Sequence, residues 1–259
     1  MPLPADLRRR LRVLAFLAAA LIVWQALASS GFWPSYIFPS PGGVLSSFAS
    51  GVMDGTFPRG LYASLSRMLV GYSISAFLGI TLGLLLSRFQ LLQDTLGSLA
   101  LGLQALPSIA WLPLAILWFG LNDSAIIFIV VMGALLSITI ATDSGIRSIP
   151  PIYLKAAQNM GARGLRRYTD VILPAALPGI VAGMKQGWGF AWRSLMAGEL
   201  IFITLGPGQL LAMGRELNDI NRVVAVMLLI MLVGMLVDRL AFGRAEDAIR
   251  RKWGLKQEA

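Results

Sequence analysis

The sequence contains no cysteine and no histidine, and only 14% of its 259 residues are charged. Without these two residue types, the chain cannot form disulfides, zinc sites built on thiolate or imidazole, or a mechanism whose general base is an imidazole. Acids are also scarce, with 13 Asp and Glu against 22 Lys and Arg. Because 56% of the residues are apolar, this composition argues against a soluble domain and leaves a membrane or a nucleic acid as the partner of the basic charge.

The apolar residues are gathered into six runs, each close to the roughly 20 residues that a helix needs to cross a bilayer. The runs lie near residues 13–29, 63–86, 96–119, 125–142, 177–203 and 223–242. None shows the alternation of a membrane barrel, so we predict one all-α integral membrane domain with six transmembrane helices over residues 1–259. Pro107 and Pro113 interrupt the third run and predict a kink or a division into two shorter helices.

The positions of Lys and Arg indicate the orientation, because cytoplasmic segments keep an excess of positive charge. With both termini inside, the cytoplasmic segments hold 16 cations, and the outer segments and span ends hold four, Arg59, Arg67, Arg215 and Arg222. The 16 are Arg8, Arg9, Arg10, Arg12, Arg88, Arg147, Lys155, Arg163, Arg166, Arg167, Arg239, Arg244, Arg250, Arg251, Lys252 and Lys256. We therefore predict cytoplasmic termini, and the net charge of +9 needs no nucleic acid to explain it.

The first run imitates a secretory signal, with a basic stretch at residues 8–12, an apolar core and then Ala26-Leu27-Ala28. Cleavage after this stretch is the alternative to a retained helix. Six spans with inward termini require the helix to remain, so we predict a retained first span.

The second and fifth runs carry small residues at four-residue intervals. These residues are Gly71, Ser75, Gly79 and Gly83 in one run, and Gly179, Gly183, Gly187 and Ala191 in the other. Small residues allow the close backbone approach on which helix association in lipid depends. Packing within the subunit and packing between two subunits both fit this pattern, and either one places these helices inside the bundle.

The fifth run also contains charged residues, which are costly at membrane depth and usually face a cavity or a partner. In one interpretation, Lys185 extends towards the cytoplasm while Arg193 and Glu199 bond to neighbouring helices. In the other, Arg193 supplies positive potential to the translocation path of an anion, because a planar guanidinium suits oxyanions. Glu199 and the neighbouring Trp188 and Trp192 then become candidates to line that path.

Residues 150–176, between the fourth and fifth runs, are too well patterned for a simple linker. A short helical stretch stops at Gly161, and a second stretch, residues 165–172, is predicted to end at Leu173-Pro174. Two short helices with a glycine turn between them, parallel to the membrane, can enter a groove on a soluble partner. From the residues alone, this segment is a docking element.

The spacing of this segment resembles the EAA loop in the membrane subunits of ABC importers. The matching residues are Ala156-Ala157, then Gly161, then Val171, then Leu173-Pro174. Lys155 stands where that family usually has Glu, and Val171 where it usually has Ile. Further stretches are similar to the nitrate, sulfonate, taurine and bicarbonate type, namely Pro39-Ser40-Pro41, Trp111-Leu112-Pro113-Leu114, Ala197-Gly198-Glu199-Leu200, Val237-Asp238-Arg239 and Arg251-Lys252-Trp253-Gly254-Leu255.

The resemblance implies a type I ABC importer transmembrane domain in the bacterial cytoplasmic (inner) membrane. It implies a pair of these subunits on two cytoplasmic ATPases, which bind the ATP and Mg, and an external solute-binding protein that delivers a small anion. The residues that would couple to the ATPase are Lys155, Ala156, Ala157, Gly161, Val171, Leu173 and Pro174. For the binding protein, the outer candidates are Gly206-Pro207-Gly208 and residues 218–222.

The sequence has no Gly-x-x-x-x-Gly-Lys-Ser/Thr motif, so the chain has no P-loop with which to cradle nucleotide phosphates. We therefore expect a transport subunit that borrows its energy and carries no enzymatic site, cofactor or metal of its own. An intramembrane lipid-modifying enzyme and a stand-alone ion-coupled carrier are the alternatives. The carboxylates within the spans are too few and too isolated to favour either.

Overall fold

The computed structural model describes residues 5–252, and every regular element in that part of the chain is helical. Trp253, Gly254 and Leu255, which carry part of the family resemblance, lie outside the described residues. The α-helices are α1 (Ala5–Ser29), α2 (Pro41–Met53), α3 (Thr56–Arg88), α4 (Gln90–Leu92), α5 (Ser98–Gln104), α6 (Leu112–Phe119), α7 (Asp123–Arg147), α8 (Pro151–Asn159), α9 (Gly164–Arg167), α10 (Leu173–Ile201), α11 (Pro207–Glu216), α12 (Ile220–Val237) and α13 (Arg244–Lys252). Short π-helical turns lie at Gln93–Gly97, Tyr168–Ile172 and Asp238–Gly243, and a 3-10 turn lies at Ser108–Trp111.

Long apolar helices account for most of the predicted spans. Within residues 5–252, four helices are long and apolar enough to cross a bilayer, at Leu11–Ser29, Thr56–Arg88, Asp123–Arg147 and Ile220–Ile249. The bent pair Gln90–Gln104 and Ser108–Phe119 makes a fifth if it forms one broken span. The predicted all-α membrane fold is confirmed.

The fifth predicted span coincides with α10, which has 29 residues but is not among these apolar helices. Its charged residues and glycines lower its mean hydropathy. Its length of about 44 Å is nevertheless sufficient to cross a bilayer. The number of six transmembrane helices therefore stays a prediction. The helix ends at Ile201 and not at Ile203, because the backbone of Phe202 is extended.

The third run is divided, as its prolines predict. The helices on either side of the break meet at 104°. Pro107 has an extended ψ of 136° and leads into the 3-10 turn, whereas Pro113 lies in the first turn of α6, where a missing N–H costs little. Pro107 therefore marks the break, and Pro113 starts the helix that follows it.

Helix α7 is central and packs against both α3 and α10. Gly79 of α3 and Gly187 of α10 both face Ile138 of α7, where an added Cβ would come within 2.9 and 2.7 Å of its side chain. Gly179 likewise faces the backbone of Gly145 on α7. Both small-residue faces thus pack within the subunit, which decides between the two interpretations of that pattern.

The far end of the bundle is the end at which α10 stops, and two short helices that the sequence analysis did not predict, α2 and α11, lie there. They meet α3 and α12 around Val44, Phe57, Leu210 and Val226, which are nearly inaccessible to solvent. A start signal for α2 was present in the sequence. Ser40 accepts a hydrogen bond from the N–H of Gly43 at 3.1 Å, and a proline follows it as the first helical residue.

Residues 150–176, the coupling loop, lie at the opposite end, which we call the loop end. The predicted turn is confirmed, because α8 is followed by Gly161 with a φ of 86°, a conformation that favours glycine. The predicted stop at Leu173-Pro174 is wrong, since α9 continues through the π-helical turn Tyr168–Ile172 into α10. Pro174 lies in the first turn of α10, directly after a π-helical turn whose shifted bonding tolerates a residue without an N–H.

Candidate translocation cavity and docking surfaces

A cavity of about 380 Å³ opens where the third run is broken. The broken segment, α7 and α10 each form part of its wall. The lining residues are Leu103, Gln104, Ala105, Leu106, Pro107, Ser108, Ile109, Trp111, Met132, Gly133, Leu136, Phe190, Arg193 and Ala197. The cavity is mostly apolar, with a few polar groups, and its volume suits a small molecule.

Arg193 is the only charged residue in this lining. Its Nε donates to the carbonyl of Gly189 in its own helix at 2.9 Å, and its guanidinium carbon lies 4.8 Å from the centre of the Phe190 ring. Among the described residues, Arg193 forms no ion pair. Because no carboxylate neutralises it, the guanidinium gives the cavity positive potential and keeps N–H donors available for an oxyanion.

The broken segment is fastened to α10 beside Arg193. The hydroxyl oxygens of Ser194 and Ser108 lie 2.7 Å apart, which joins α10 to the first residue of the 3-10 turn. Gly133 of α7 makes room for this pair, because a Cβ at that position would overlap the Ser194 side chain. The broken third run and the charge of Arg193 are thus held next to each other.

Trp188 and Trp192 lie away from this cavity. Both are buried in the core, and the ring of Trp188 meets that of Tyr72 edge to face, with ring centres 5.2 Å apart. Trp192 packs against Gly234 of α12. Large aromatic side chains gain most from burial between helices, so their predicted grouping with Arg193 is wrong.

Glu199 was expected along the path but is completely buried at the far end. Its Oε1 accepts hydrogen bonds from Nη1 of Arg67 at 3.0 Å and from the hydroxyl of Ser64. Its Oε2 accepts the backbone N–H of Gly208 at 3.2 Å. Closed off within the subunit by these contacts, the carboxylate cannot meet a passing solute, and this part of the prediction is also wrong.

Arg67, expected only as a cation of an outer segment or span end, is the centre of a buried network. Besides Glu199, its Nε contacts Asp123 at 2.8 Å and its Nη1 donates to the carbonyl of Leu205 at 2.9 Å. We call Ser64, Arg67, Asp123 and Glu199 the Arg67 network. It joins α3, α7, α10 and the segment after α10, and no local pattern reveals it because Arg67 and Glu199 are 132 residues apart.

Lys185, the other cation within the fifth run, serves a different contact. Its Nζ lies 3.6 Å from Asp238 and 3.4 Å from Glu246, in the segment that follows α12. These acids lie towards the loop end, in agreement with a side chain that extends towards the predicted cytoplasmic face. Lys185 is not in the lining of the cavity.

A second cavity, of about 390 Å³, lies at the loop end between the π-helical turn Gln93–Gly97 and the last turns of α7. Its charged lining residues are Asp94, Asp143 and Arg147, and Nε of Arg147 donates to Asp143 at 2.9 Å. Helix α7 and the broken run line both cavities. Both cavities therefore lie between α7 and the broken run, one beside Arg193 and the other at the loop end.

The structure brings the two halves of the EAA-like motif together, since α8 contacts the π-helical turn that contains Val171. Lys155, Ala156 and Gly161 are exposed, whereas Ala157 is buried and faces the bundle. Val171, Leu173 and Pro174 are partly buried where the loop joins α10. The motif thus forms an exposed helix on a base that is packed against the bundle.

At the far end, one of the two predicted docking segments is wrong. Gly206, Pro207 and Gly208 are buried, because Gly206 and Gly208 pack closely on Glu199. Residues 218–222 are accessible and remain a candidate docking segment. Asn218 is exposed, and Asp219 and Arg222 line a groove of about 170 Å³.

This groove, the far-end groove, is polar. Ser46, Ser47, Ser50 and Asp54 of the α2 region form the rest of its polar lining. The pKa of the Asp54 carboxyl is lowered because the hydroxyl and the backbone N–H of Thr56 both donate to it. Asp54 is therefore charged at neutral pH, and the groove presents two acids and one cation to the solution.

Comparison with known proteins places the chain in a family. Residues 75–243, more than half of the chain, match the family described as "Binding-protein-dependent transport system inner membrane component". The chain belongs to this family of ABC transporter permeases and is a multi-pass membrane protein.

Individual relatives agree with this assignment. The chain is 38% identical over 227 residues to the putative aliphatic sulfonates transport permease protein SsuC of Escherichia coli (strain K12), covering 86% of this chain and 85% of that one. It is 28% identical over 232 residues to the nitrate import permease protein NrtB of Synechocystis sp., covering 86% and 83%. A solved structure of the MetNI methionine ABC transporter in inward-facing conformations matches with a TM-score of 0.58 at 21% identity, over 71% of this chain and 94% of that one, and shows the shared fold.

Proposed function

We propose that this chain is the permease subunit of an ATP-driven importer and forms the path for a small anion of the aliphatic sulfonate, taurine, nitrate or bicarbonate class. The observation that carries the proposal is Arg193, a cation that no described carboxylate neutralises, in the lining of a largely apolar cavity of about 380 Å³. The similarity to permeases named for aliphatic sulfonates and for nitrate supports an anionic substrate.

Within that class, the cavity favours an organic sulfonate. Arg193 can receive the oxyanion, with Gln104 and Ser108 as further polar groups, while most other lining residues are apolar. An inorganic ion of a few atoms leaves that apolar surface unused, whereas a short alkyl chain covers it.

The energy for transport comes, in this proposal, from two cytoplasmic ATPases that dock on a pair of these subunits and bind ATP and Mg. The absence of a P-loop motif from the sequence supports a separate ATPase. Because the coupling loop continues through a π-helical turn into α10, a movement of the docked loop is passed directly to the helix that carries Arg193. ATP-driven closure of the ATPases then switches the cavity between outward and inward access.

The orientation belongs to the proposal as well. The distribution of Lys and Arg favours a cytoplasmic loop end, with both termini on that side in the bacterial inner membrane. The far end then faces outward, and its groove with Asp219 and Arg222 is the candidate surface for the solute-binding protein. Polar, charged grooves of this kind guide a partner into register.

Replacing Gly161 by valine is expected to weaken the ATPase contact. A β-branched residue at a φ of 86° costs roughly 1–2 kcal/mol and distorts the turn after α8. The measurement is the amount of ATPase that stays bound when the permease is purified in mild detergent. Gly102→Val is the matched control, since that glycine is helical and has open space around it. Normal ATPase retention together with normal uptake would contradict this role of the turn.

The proposed function is tested by uptake of a labelled alkanesulfonate into vesicles that contain the permease. Uptake should require the ATPase, ATP and the solute-binding protein together, and omission of any one should reduce uptake to background. Uptake with the permease alone would support the stand-alone carrier and overturn the proposal. Chemical modification of added lipid by the permease alone would support the intramembrane enzyme.

A further inference from the structure

The exposed surface of the coupling loop is basic and partly apolar. An inference from this surface rests on the proposed function, because it concerns the ATPase partner. Four cations, Lys155, Arg163, Arg166 and Arg167, lie in residues 150–176, against a single acid, Asp170. Lys155, Arg163 and Arg166 are exposed and form no ion pair with any described residue. The loop therefore presents uncompensated positive charge to whatever covers it.

Helix α8 also presents an apolar stripe to the outside. Ile152 and Ala156 of the helix and Met160, the residue directly after it, follow each other at four-residue intervals, so they lie along one face, with Tyr153 beside them. All four are exposed, and Met160 reaches 87%. The opposite face of the helix is occupied, because Leu154 packs on the cluster of Ile149, Ile172, Ala176 and Ile180 at the base of the bundle.

Lys155 lies at the edge of the stripe. At about 100° per residue, it is roughly 60° around the helix from Ile152 and 100° from Ala156. An apolar centre with a charged rim is the usual composition of a surface that binds another protein. An anionic membrane surface is a poorer partner for this helix. An amphipathic helix on a membrane turns its apolar face to the lipid. In α8, one face packs on the bundle, and the apolar stripe points away from the bundle.

We propose that the ATPase partner of this permease has a docking groove with an apolar floor and an acidic rim, and that Lys155 pairs with a carboxylate of that rim. The apolar stripe fills the groove, and Lys155, with Arg163 and Arg166 nearby, selects an ATPase whose rim is acidic. A groove with a basic rim is rejected by like charge, so the coupling loop decides which ATPase this permease accepts.

The experiment measures binding of the ATPase to the permease in phosphatidylcholine nanodiscs at low and at high salt. At low salt, Lys155→Glu should weaken binding about tenfold or more, and Lys155→Gln by less, because reversal of the charge adds repulsion to the loss of attraction. High salt should reduce the difference between wild type and Lys155→Glu. Arg88→Gln is the matched control, since Arg88 is an exposed cation at the same end of the bundle but outside the loop.

The outcomes separate this inference from the proposed function. If wild-type permease fails to bind the ATPase, the proposed function is in error. If wild type binds and Lys155→Glu binds equally well, the acidic rim is refuted while the proposed function stands. If Lys155→Glu matters only in discs that contain phosphatidylglycerol, the loop binds anionic headgroups and the inference is again refuted. Recovery of binding when a rim carboxylate of the ATPase is changed to lysine would support the pairing directly.

Discussion

Replacing Arg67 by methionine is expected to lower the free energy of unfolding by about 3–5 kcal/mol, because it leaves the carboxylate of Glu199 buried without its cation. Ser64 and the N–H of Gly208 remain as donors, but they supply no positive charge. Methionine replaces the aliphatic part of the arginine side chain but not its guanidinium, so the loss comes mainly from charge and hydrogen bonding. Denaturant unfolding of the purified permease in detergent measures the change.

Two further variants give this prediction its controls. Arg59→Met removes an exposed cation from the same helix, whose contacts are to the carbonyls of Asp54 and Gly55, and should cost less than about 1 kcal/mol. Adding Glu199→Gln to Arg67→Met should restore part of the lost stability, because a neutral amide is cheaper to bury than an unpaired carboxylate. A loss as small as that of the control would mean that the Arg67 network does not hold the far end together.

Replacing Arg193 by glutamine is expected to reduce anion uptake by about 10- to 100-fold, the loss that corresponds to one hydrogen-bonded charged contact. Glutamine keeps polarity and most of the length but removes the positive charge from the cavity. ATPase retention should be unchanged, because Arg193 lies on α10 far from the coupling loop. Uptake of a labelled alkanesulfonate, alongside the amount of bound ATPase, measures both effects.

The control for Arg193 is the other cation of the same helix, which lies outside the lining of the cavity. Lys185→Gln removes a charge that is paired with Asp238 and Glu246 outside the cavity, so its effect on uptake should be smaller. Arg193→Lys keeps the charge but loses the planar set of donors, and it should fall between wild type and glutamine. Equal uptake by wild type and Arg193→Gln would return Arg193 to a structural role.

Features that a few neighbouring residues determine could be predicted from the sequence. Pro107 breaks the third run wherever the rest of the chain lies, since it removes a donor and restricts the residue before it. Gly161 marks a turn for the same kind of local reason. The EAA-like spacing and the surplus of basic residues are likewise visible without any tertiary contact.

Features that depend on distant contacts were missed or misplaced. Arg67 looks like an interfacial cation until Asp123 and Glu199 are seen around it. Trp188 lies only five residues from Arg193, but helix rotation and the contact with Tyr72 turn it into the core. The continuation past Pro174 was also missed, because a π-helical turn has no clear sequence signal.

The small-residue faces of α3 and α10 have a mechanical consequence. At Gly79 and Gly187 they leave no space on Ile138 for one more methyl group, so the three helices are interlocked and resist sliding past one another. We therefore expect the three helices to move as one stiff unit, so that a displacement at the loop end reaches the opposite end of α10, about 44 Å away. Bending is easier at Pro178, which lies inside α10 near its loop end, at the break at Pro107 and at the π-helical turns.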